Sequence, residues 1–320
     1  MAITGIERYY LKLKALNYLY VKGCTQVETA RLLNISRVTL GKLLDEARAE
    51  GMLKIEIVDV RNVSALLETE EALKSRFSLK EVQLIDGADL SYEQLVDRIA
   101  EKSAAFFEQH IRSDMRIGVT WGRTLNAMVG HLSVNRAVTG LTISTLVGST
   151  SGNVDFQPTV LAQNLLNKYS GTVRTITAPF LCHSETLCQD IKGEPQIRSI
   201  LSGVRELDLV MVGIGEKPVS GSGKLSDYPF DANAIDDLVR HGAVGDICGN
   251  FFDIHGELCR TTLSDRIVSI DVHDLQKHGM VVGIGGGAQK VQSILGALNG
   301  SYLDVLVTDL QTAQAVLASA

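Results

Sequence analysis

From Glu81 onward the chain alternates short apolar runs with longer amphipathic stretches. The short runs are rich in Val, Ile and Leu, which predicts strands, and most of them precede a stretch with helical spacing. The predicted strands span residues 82–85, 115–120, 141–147, 173–177, 207–212, 267–271, 280–284 and 304–307. Strands separated by helices favour a parallel sheet that is covered on both faces. We therefore expect a Rossmann-like, mostly parallel α/β domain over residues 81–320, with its ligand beyond the carboxyl ends of the strands.

Length and composition limit the class of protein. A chain of 320 residues is long enough for two domains, and its 45% hydrophobic and 21% charged residues indicate globular folding rather than disorder. No apolar run reaches the roughly 18 residues of a membrane span, and the first residues do not resemble a secretory signal, so we expect a cytoplasmic protein. The five cysteines are odd in number and include no Cys-x-x-Cys pair, which predicts reduced thiols and no metal site. We also expect no cofactor.

Charge is distributed unevenly along the chain. Residues 1–58 carry nine Lys or Arg against six Asp or Glu, a net charge of +3. Because the whole chain has a formal net charge of −6, residues 59–320 carry −9. Such an asymmetry is typical of a short segment that binds a polyanion beside a larger part that does not.

The first 58 residues predict a winged helix-turn-helix domain. Helical spacing from Leu11 to Val21 gives a first helix, and Thr25 followed by Glu28 is the capping box that begins a second, short helix. Asn34 suits the positive φ of a turn, and Ser36 caps a third helix. The apolar positions that we expect to be buried on the second and third helices are Val27, Ala30, Leu32, Leu33, Val38, Leu40, Leu43, Leu44 and Ala47.

A short helix, a turn and a longer basic helix form the arrangement that reads the major groove of DNA. Residues 52–58 alternate apolar and charged side chains, which predicts the strand of a wing. The expected DNA-binding residues are Thr25 and Gln26 at the start of the second helix and Ser36, Arg37, Thr39 and Lys42 at the start of the third. A purely structural three-helix module is the alternative, and the combination of capping box, turn and basic helix favours DNA binding over it.

Residues 59–80 predict a linker helix with an apolar stripe on one face. This stripe either pairs with its copy in a second chain or packs on its own domain, and the sequence leaves both interpretations open.

Three loops that follow predicted strands carry glycine together with hydroxyl or cationic residues. The candidate effector-binding residues in them are Gly122, Arg123 and Thr124; Gly148, Ser149 and Thr150; and Gly286, Gly287 and Lys290. Backbone N–H groups at a helix N-terminus and a nearby cation suit a phosphate or a sugar hydroxyl. Asp246 lies among small and apolar residues, so it is either a helix cap or a buried acceptor for a ligand hydroxyl. Structural turns and a solvated Lys290 are the alternatives.

Several motifs, in order along nearly the whole chain, resemble the SorC-type bacterial transcriptional regulators. They are Thr25-Gln26 to Ala30, Asn34-Ile35-Ser36-Arg37, Leu43-Leu44 to Gly51, Gly118 to Leu125, Ala178-Pro179, Val212 to Gly215, Gly245 to Gly249, and Gly286-Gly287 with Lys290. The resemblance implies a winged helix joined to an effector domain similar to glucosamine-6-phosphate deaminases and ribose-5-phosphate isomerases, commonly in tetramers. It also implies that Gly122, Arg123, Thr124 and Lys290 hold the phosphate or distal end of a sugar effector, and that Asp246 binds a sugar hydroxyl.

We therefore expect a DNA-binding regulator of a carbohydrate-utilisation operon rather than an enzyme. Its partners would be double-stranded operator DNA, a sugar, polyol or sugar-phosphate effector, and further copies of itself in a dimer or tetramer. One alternative is a dinucleotide-binding redox repressor, because Gly283, Gly285 and Ala288 fit Gly-x-Gly-x-x-Ala and Asp309 follows the next strand. The other is a sugar-phosphate isomerase, with Asp246 and Lys290 as its acid and base.

Overall fold

The computed structural model describes residues 5–55, 63–150, 157–220, 230–275 and 279–320. The chain divides into two compact units, Met1–Asn62 and Val63–Ala320. The buried apolar cluster of the first unit draws only on residues of that unit. Among the described residues, no helix combines the length and the apolar character that crossing a membrane requires.

The first unit consists of α1 (Gly5–Leu16), which continues into a π-helical turn, α2 (Gln26–Leu32) and α3 (Arg37–Ala49). The capping box is confirmed. Thr25 Oγ1 accepts a hydrogen bond from the Glu28 backbone N–H, and the Glu28 carboxylate accepts one from the Thr25 backbone N–H. Asn34 has a φ of 52°, and Ser36 Oγ accepts from Thr39 N at the start of α3. The predicted helices and turn therefore form where the sequence places their caps.

Three apolar residues of this unit were wrongly predicted to be buried. Val27, Leu32 and Val38 are exposed, because the small core is filled by α1 and by the opposite sides of α2 and α3. The predicted wing is not seen as a strand: residues 52–55 have no regular secondary structure, and residues 56–58 lie outside the described residues.

The second unit is built on a seven-stranded sheet in which every pairing is parallel. Its strands are β1 (Glu81–Ile85), β2 (Arg116–Val119), β3 (Leu141–Thr145), β4 (Gly171–Arg174), β5 (Leu209–Gly213), β8 (Met280–Ile284) and β9 (Val305–Asp309). The strand order is β1-β9-β8-β5-β2-β3-β4. The predicted α/β class is confirmed.

Helices cover both faces of this sheet. They are α4 (Ser64–Phe77), α5 (Tyr92–His110), α6 (Arg123–His131), α7 (Pro158–Lys168), α8 (Glu185–Gly193), α9 (Pro195–Ser202), α10 (Ala232–Arg240), α11 (Val272–Leu275), α12 (Val291–Asn299) and α13 (Leu310–Ser319). Leu209 and Met211 pack into the core under α5, α6 and α7, whereas Val210 and Val212 pack into the core under α4, α12 and α13. The central strands are buried on both sides, which is why their sequences are continuously apolar.

Helix α4 packs on its own unit. Leu73 is fully buried, Leu66 and Phe77 join the same core, and the helix contacts β1 and α13. Leu67 and Val63 remain exposed. The apolar stripe predicted for the linker helix therefore has an intramolecular partner.

The region before α12 differs most from the sequence prediction. Residues 267–271 form isolated bridges through Ile267 and Ser269 instead of a sheet strand. An antiparallel hairpin of β6 (Gly245–Ile247) and β7 (Asn250–Phe252) was not predicted. Both strands of the hairpin have only three residues, too few to show a period, and Gly249 between them has a φ of 75°.

Candidate functional site

A cleft lies where the strand order of the sheet reverses. From β2 the chain adds β3 and β4 toward one edge, and β5 then pairs on the other side of β2. Ligands of open α/β sheets bind at such a point, beyond the carboxyl ends of the strands. We call it the switch-point cleft; its volume is about 110 Å³. Its lining residues are Tyr92, Val96, Ile99, Thr120, Trp121, Gly122, Arg123, Thr124, Leu125, Thr150, Gly213, Ile214, Gly215, Glu216, Asp246, Cys248, Ile284, Gly285, Gly286 and Lys290.

The N-terminus of α6 forms one wall of the cleft. Gly122 precedes the helix with φ 132° and ψ 155°, a conformation that is nearly restricted to glycine. No side chain caps this helix end. The backbone N–H groups of the first turn therefore remain suited to a ligand anion or hydroxyl. Arg123, in the first turn, places its guanidinium 5.5 Å from the centre of the Tyr92 ring.

Lys290 supplies a second cation to the cleft. It ends a short 3₁₀ turn, Ala288–Lys290, which leads from the glycine loop after β8 into α12. Its Nζ donates to the Ile214 carbonyl oxygen at 2.6 Å, and 12% of its side chain is exposed. Burial lowers the pKa of Lys290, whereas the charges of Glu216 and Asp246 oppose that shift. The ammonium is held in place by the backbone after β5 and is not a solvated surface group.

Glu216 was not predicted from the sequence. Its Oε1 lies 3.6 Å from Arg123 Nη2 and 3.9 Å from Lys290 Nζ. The signal available in the sequence was a glycine and a carboxylate directly after the β5 strand. That pattern is common in loops, so only the distances to the two cations distinguish this residue.

Asp246 is presented by the β6–β7 hairpin and is almost completely buried. One carboxylate oxygen accepts from Gly249 N at 2.9 Å within the hairpin turn. Gly215 N donates to the Asp246 carbonyl oxygen, and a Cβ at position 215 would overlap the Asp246 carboxylate. Glycine at 215 therefore permits the hairpin to approach β5. Of the two interpretations offered for Asp246, the structure excludes a helix cap, because the residue lies on a strand.

Cys248 lies in the turn of the same hairpin and lines the cleft. Burial raises the pKa of its thiol well above the ordinary value, and the charge of Asp246 acts in the same direction. Such a shift favours the thiol over the thiolate, and the thiolate is the stronger nucleophile.

The structure brings seven of the ten predicted effector-binding residues into the cleft: Gly122, Arg123, Thr124, Thr150, Asp246, Gly286 and Lys290. The other three, Gly148, Ser149 and Gly287, do not line it. Ser149 forms backbone hydrogen bonds with Ala178 and Phe180, and a Cβ at Gly148 would meet the Pro179 carbonyl. The loop after β3 therefore pairs with a neighbouring segment before it reaches the cleft.

Gly287 is held by the start of α13. Its N–H donates to Asp309 Oδ2 and to Thr312 Oγ1, and Asp309 also accepts from Thr312 N. The Asp309 carboxylate is thus buried as a helix cap and a loop anchor. A dinucleotide fingerprint needs an acidic group that is open to a ribose, and Asp309 does not provide one.

The six predicted DNA-binding residues are all exposed on the first unit: Thr25, Gln26, Ser36, Arg37, Thr39 and Lys42. The hydroxyls of Thr25, Ser36 and Thr39 take part in the helix caps. A Cβ at Gly41 would meet no atom within 4 Å, so packing within the unit does not require glycine there.

Helix α3 is fixed to α1 by ion pairs. Arg8 contacts Glu46, and the buried Lys12 contacts Glu50 and Glu46. These pairs join the C-terminal half of α3 to the rest of the unit and leave its N-terminal end exposed.

In the described part of the chain, no group of three or more His, Cys, Asp or Glu is placed to hold a metal ion. All five cysteines are free, and four of them are buried.

Comparison of the sequence with known proteins identifies a family to which it is similar. Residues 61–318 match the model of the Sugar-bind family, which describes a sugar-binding domain. The sorbitol operon regulator of Klebsiella pneumoniae is 28% identical over 300 residues, which cover 93% of this chain and 94% of that protein. The deoxyribonucleoside regulator of Bacillus subtilis is 25% identical over 313 residues, with 97% and 98% covered.

Solved structures give the same result for the fold. The full-length sorbitol operon regulator SorC from Klebsiella pneumoniae matches with a TM-score of 0.74 and 28% identity, covering 96% of this chain and 98% of that one. A transcriptional regulator from Streptococcus pneumoniae matches with a TM-score of 0.73 and 25% identity, covering 80% of this chain and 98% of that one. The curated relatives above are named as regulators, not as enzymes.

Proposed function

This chain belongs to the SorC family of sugar-binding transcriptional regulators, and we propose from this premise that it reads operator DNA with its first unit and binds its effector in the switch-point cleft. It regulates the transcription of a carbohydrate-utilisation operon. Its effector is a sugar, a polyol or a sugar phosphate, in line with the sorbitol and deoxyribonucleoside systems after which two relatives are named.

The observation that carries the effector assignment is the convergence of three kinds of group on one cleft. The N-terminus of α6 and Lys290 offer donors, Asp246 offers an acceptor, and Tyr92 and Trp121 offer apolar surface. A mostly apolar cavity with a few fixed polar groups is typical of small-molecule sites. Gly122, Arg123, Thr124 and Lys290 would hold a phosphate or the distal hydroxyls, and Asp246 would accept from a sugar hydroxyl.

The DNA assignment rests on the exposed start of α3. Arg37 and Lys42 present cations there, and Gln26 lies at the start of α2, whose N–H groups suit a phosphate.

Three residues that the sequence assigned to the effector would support the loops around the cleft without contacting the effector. They are Gly148, Ser149 and Gly287. A bacterial regulator that reads an operator works in the cytoplasm.

The coupling between the two sites would be a population shift in an oligomer. Helix-turn-helix proteins read paired half-sites, so a dimer or tetramer would place two copies of α3 on one operator. An effector that prefers one arrangement of the copies changes the spacing of these helices, with a coupling free energy of about 1–3 kcal/mol.

The proposal is tested with two variants of the full chain. Thermal-shift screening against sugars, polyols and their phosphates first identifies an effector, because a ligand of the folded state raises the melting temperature. We expect Arg37→Ala to weaken the binding of operator DNA and keep the effector-induced shift. Lys290→Ala should lose that shift and keep DNA binding. If both variants lost only effector binding, the assignment of the two sites would be wrong.

A further inference from the structure

Glu216 places a negative charge between the two cations of the switch-point cleft. Its Oε1 is 3.6 Å from the Arg123 guanidinium and 3.9 Å from the Lys290 ammonium. These are ion-pair distances, and they place the carboxylate against the two cations that the proposed function assigns to a ligand anion. The cleft therefore already contains an anion, supplied by the protein itself.

The charges that line the cleft are balanced. Its charged lining residues, within the described part of the chain, are Arg123, Lys290, Glu216 and Asp246, two of each sign. A phosphate that enters this cleft has to displace the Glu216 carboxylate from the cations or accept its repulsion at close range. A neutral polyol pays neither cost.

Lys290 explains why such a carboxylate is present. Its side chain is 12% exposed, and a buried cation without a partner is strongly unfavourable. The Ile214 carbonyl oxygen accepts a hydrogen bond from the ammonium, and Glu216 supplies the opposite charge. Glu216 is itself partly exposed, so its side chain has room to turn toward solvent when another anion arrives.

We propose that Glu216 is a built-in competitor that occupies the Arg123–Lys290 pair in the unliganded protein and thereby excludes free phosphate. This inference rests on the proposed function. Only an anion that is joined to a sugar, whose hydroxyls reach Asp246 at the same time, gains enough contacts to displace the carboxylate. Glu216 is therefore a specificity-determining residue: it makes the sugar part of a phosphorylated effector obligatory.

The test measures inorganic phosphate binding to the full chain at constant ionic strength, by calorimetry and by thermal shift. We expect Glu216→Gln to lower the melting temperature without ligand, because Lys290 loses its counterion. The same variant should bind phosphate at least about tenfold more tightly than the wild type. Glu93→Gln removes an exposed carboxylate near the start of α5 that does not line the cleft, and it should behave like the wild type.

The two effects of Glu216→Gln separate competition from simple stabilisation. A merely structural Glu216 would lower the melting temperature and leave phosphate affinity unchanged, and that result would overturn the proposal. Glu216→Asp, which withdraws the carboxylate by one methylene, should show the same gain to a smaller extent and serves if the glutamine variant does not fold. Adding Arg123→Met to Glu216→Gln should abolish the gain; a gain that survives would place the phosphate elsewhere and contradict the proposal.

Binding of the same variants to operator DNA distinguishes this inference from the proposed function. DNA binding without a gain in phosphate affinity would overturn the role of Glu216 and leave the regulator assignment standing. A gain in phosphate affinity in a protein that does not bind duplex DNA would support the role of Glu216 and overturn the regulator assignment.

Discussion

At the scale of single residues, burial determines how charged and polar groups behave in this protein. Asp309 and Asp246 are both nearly inaccessible, yet Asp309 anchors a loop and caps a helix, whereas Asp246 lines a cleft. The sequence could not separate these roles, since both are single acids beside strand-like runs. What separates them is which neighbours the fold provides.

Tyr302 provides a test of burial at alkaline pH. Its hydroxyl donates to the Gly256 carbonyl, and burial, reinforced by nearby carboxylates, raises the pKa of Tyr302 to about 12. Because its pKa is higher in the folded than in the unfolded chain, its contribution to stability is present below pH ~10 and is lost as the pH rises toward 12. Tyr302→Phe should therefore unfold with a shallower pH dependence above pH ~10.

Urea denaturation at a series of pH values measures this slope. At neutral pH the variant should be less stable by about 1 kcal/mol, since the hydrogen bond is gone. If the free energy of unfolding fell equally steeply with pH in the wild type and in Tyr302→Phe between pH ~10 and 12, Tyr302 would not be the source of the alkaline loss of stability.

At the scale of elements, caps and glycines were readable from sequence, whereas the buried side of short helices was not. Thr25 and Ser36 fix where α2 and α3 begin, because a side-chain oxygen bonded to the N3 backbone is a local interaction. Val27 and Val38 were misjudged because a helix of two or three turns fits more than one apolar stripe. Which stripe is buried depends on α1, through packing that no local pattern records.

The cleft was partly predictable for the same reason. Arg123, Lys290 and Asp246 stand in glycine-rich motifs, so the sequence marks them. The β6–β7 hairpin that carries Asp246 was missed, and the loop after β3 was expected to reach further into the cleft than it does. The hairpin was missed because its two strands have three residues each, too few to show a period. The loop after β3 was misplaced because Ser149 pairs with Ala178 and Phe180, a contact between segments that are distant in the chain.

The N-terminus of α6 yields a prediction about its own geometry. Gly122 has a φ of 132°, and no atom lies within 4 Å of the position that a Cβ would take. Gly122→Ala is therefore strained in the backbone rather than in packing, and it should lower the free energy of unfolding by about 1–3 kcal/mol. It should also weaken effector binding, because relief of the strain turns the helix N–H groups away from the cleft.

Gly130 in the same helix is the matched control. A Cβ there also meets no atom within 4 Å, but the φ of Gly130 is not positive. Gly130→Ala should raise stability by about 0.5–1 kcal/mol and leave effector binding unchanged. Equal stability of Gly122→Ala and the wild type in urea denaturation would contradict the strain argument.

At the scale of the whole molecule, charge is divided between the two units. Residues 1–58 carry a net +3 in a chain of net −6. Binding of DNA releases counterions from the phosphates that the protein neutralises, so affinity should fall steeply with salt. Charges in the larger, acidic unit should not contribute to this dependence of DNA affinity on salt concentration.

The salt dependence of operator binding tests this division. A plot of the logarithm of the association constant against the logarithm of salt concentration should have a negative slope, and Lys42→Ala should reduce its magnitude by about 1. Lys217→Ala, in the second unit, should leave the slope unchanged, because Lys217 donates to Gln292 there. If Lys42→Ala kept the wild-type slope, its ammonium would not be at the DNA.

The pairing of β1 with β9 has a consequence for synthesis. Glu81 pairs with Val305, so the edge strand at the beginning of the second unit pairs with a segment that the ribosome makes late in translation. The buried apolar cluster of the first unit, by contrast, draws only on residues of that unit. During synthesis the residues of the first core should therefore all be available before β9 is made, whereas the sheet of the second unit is completed only when residues late in the sequence have been translated.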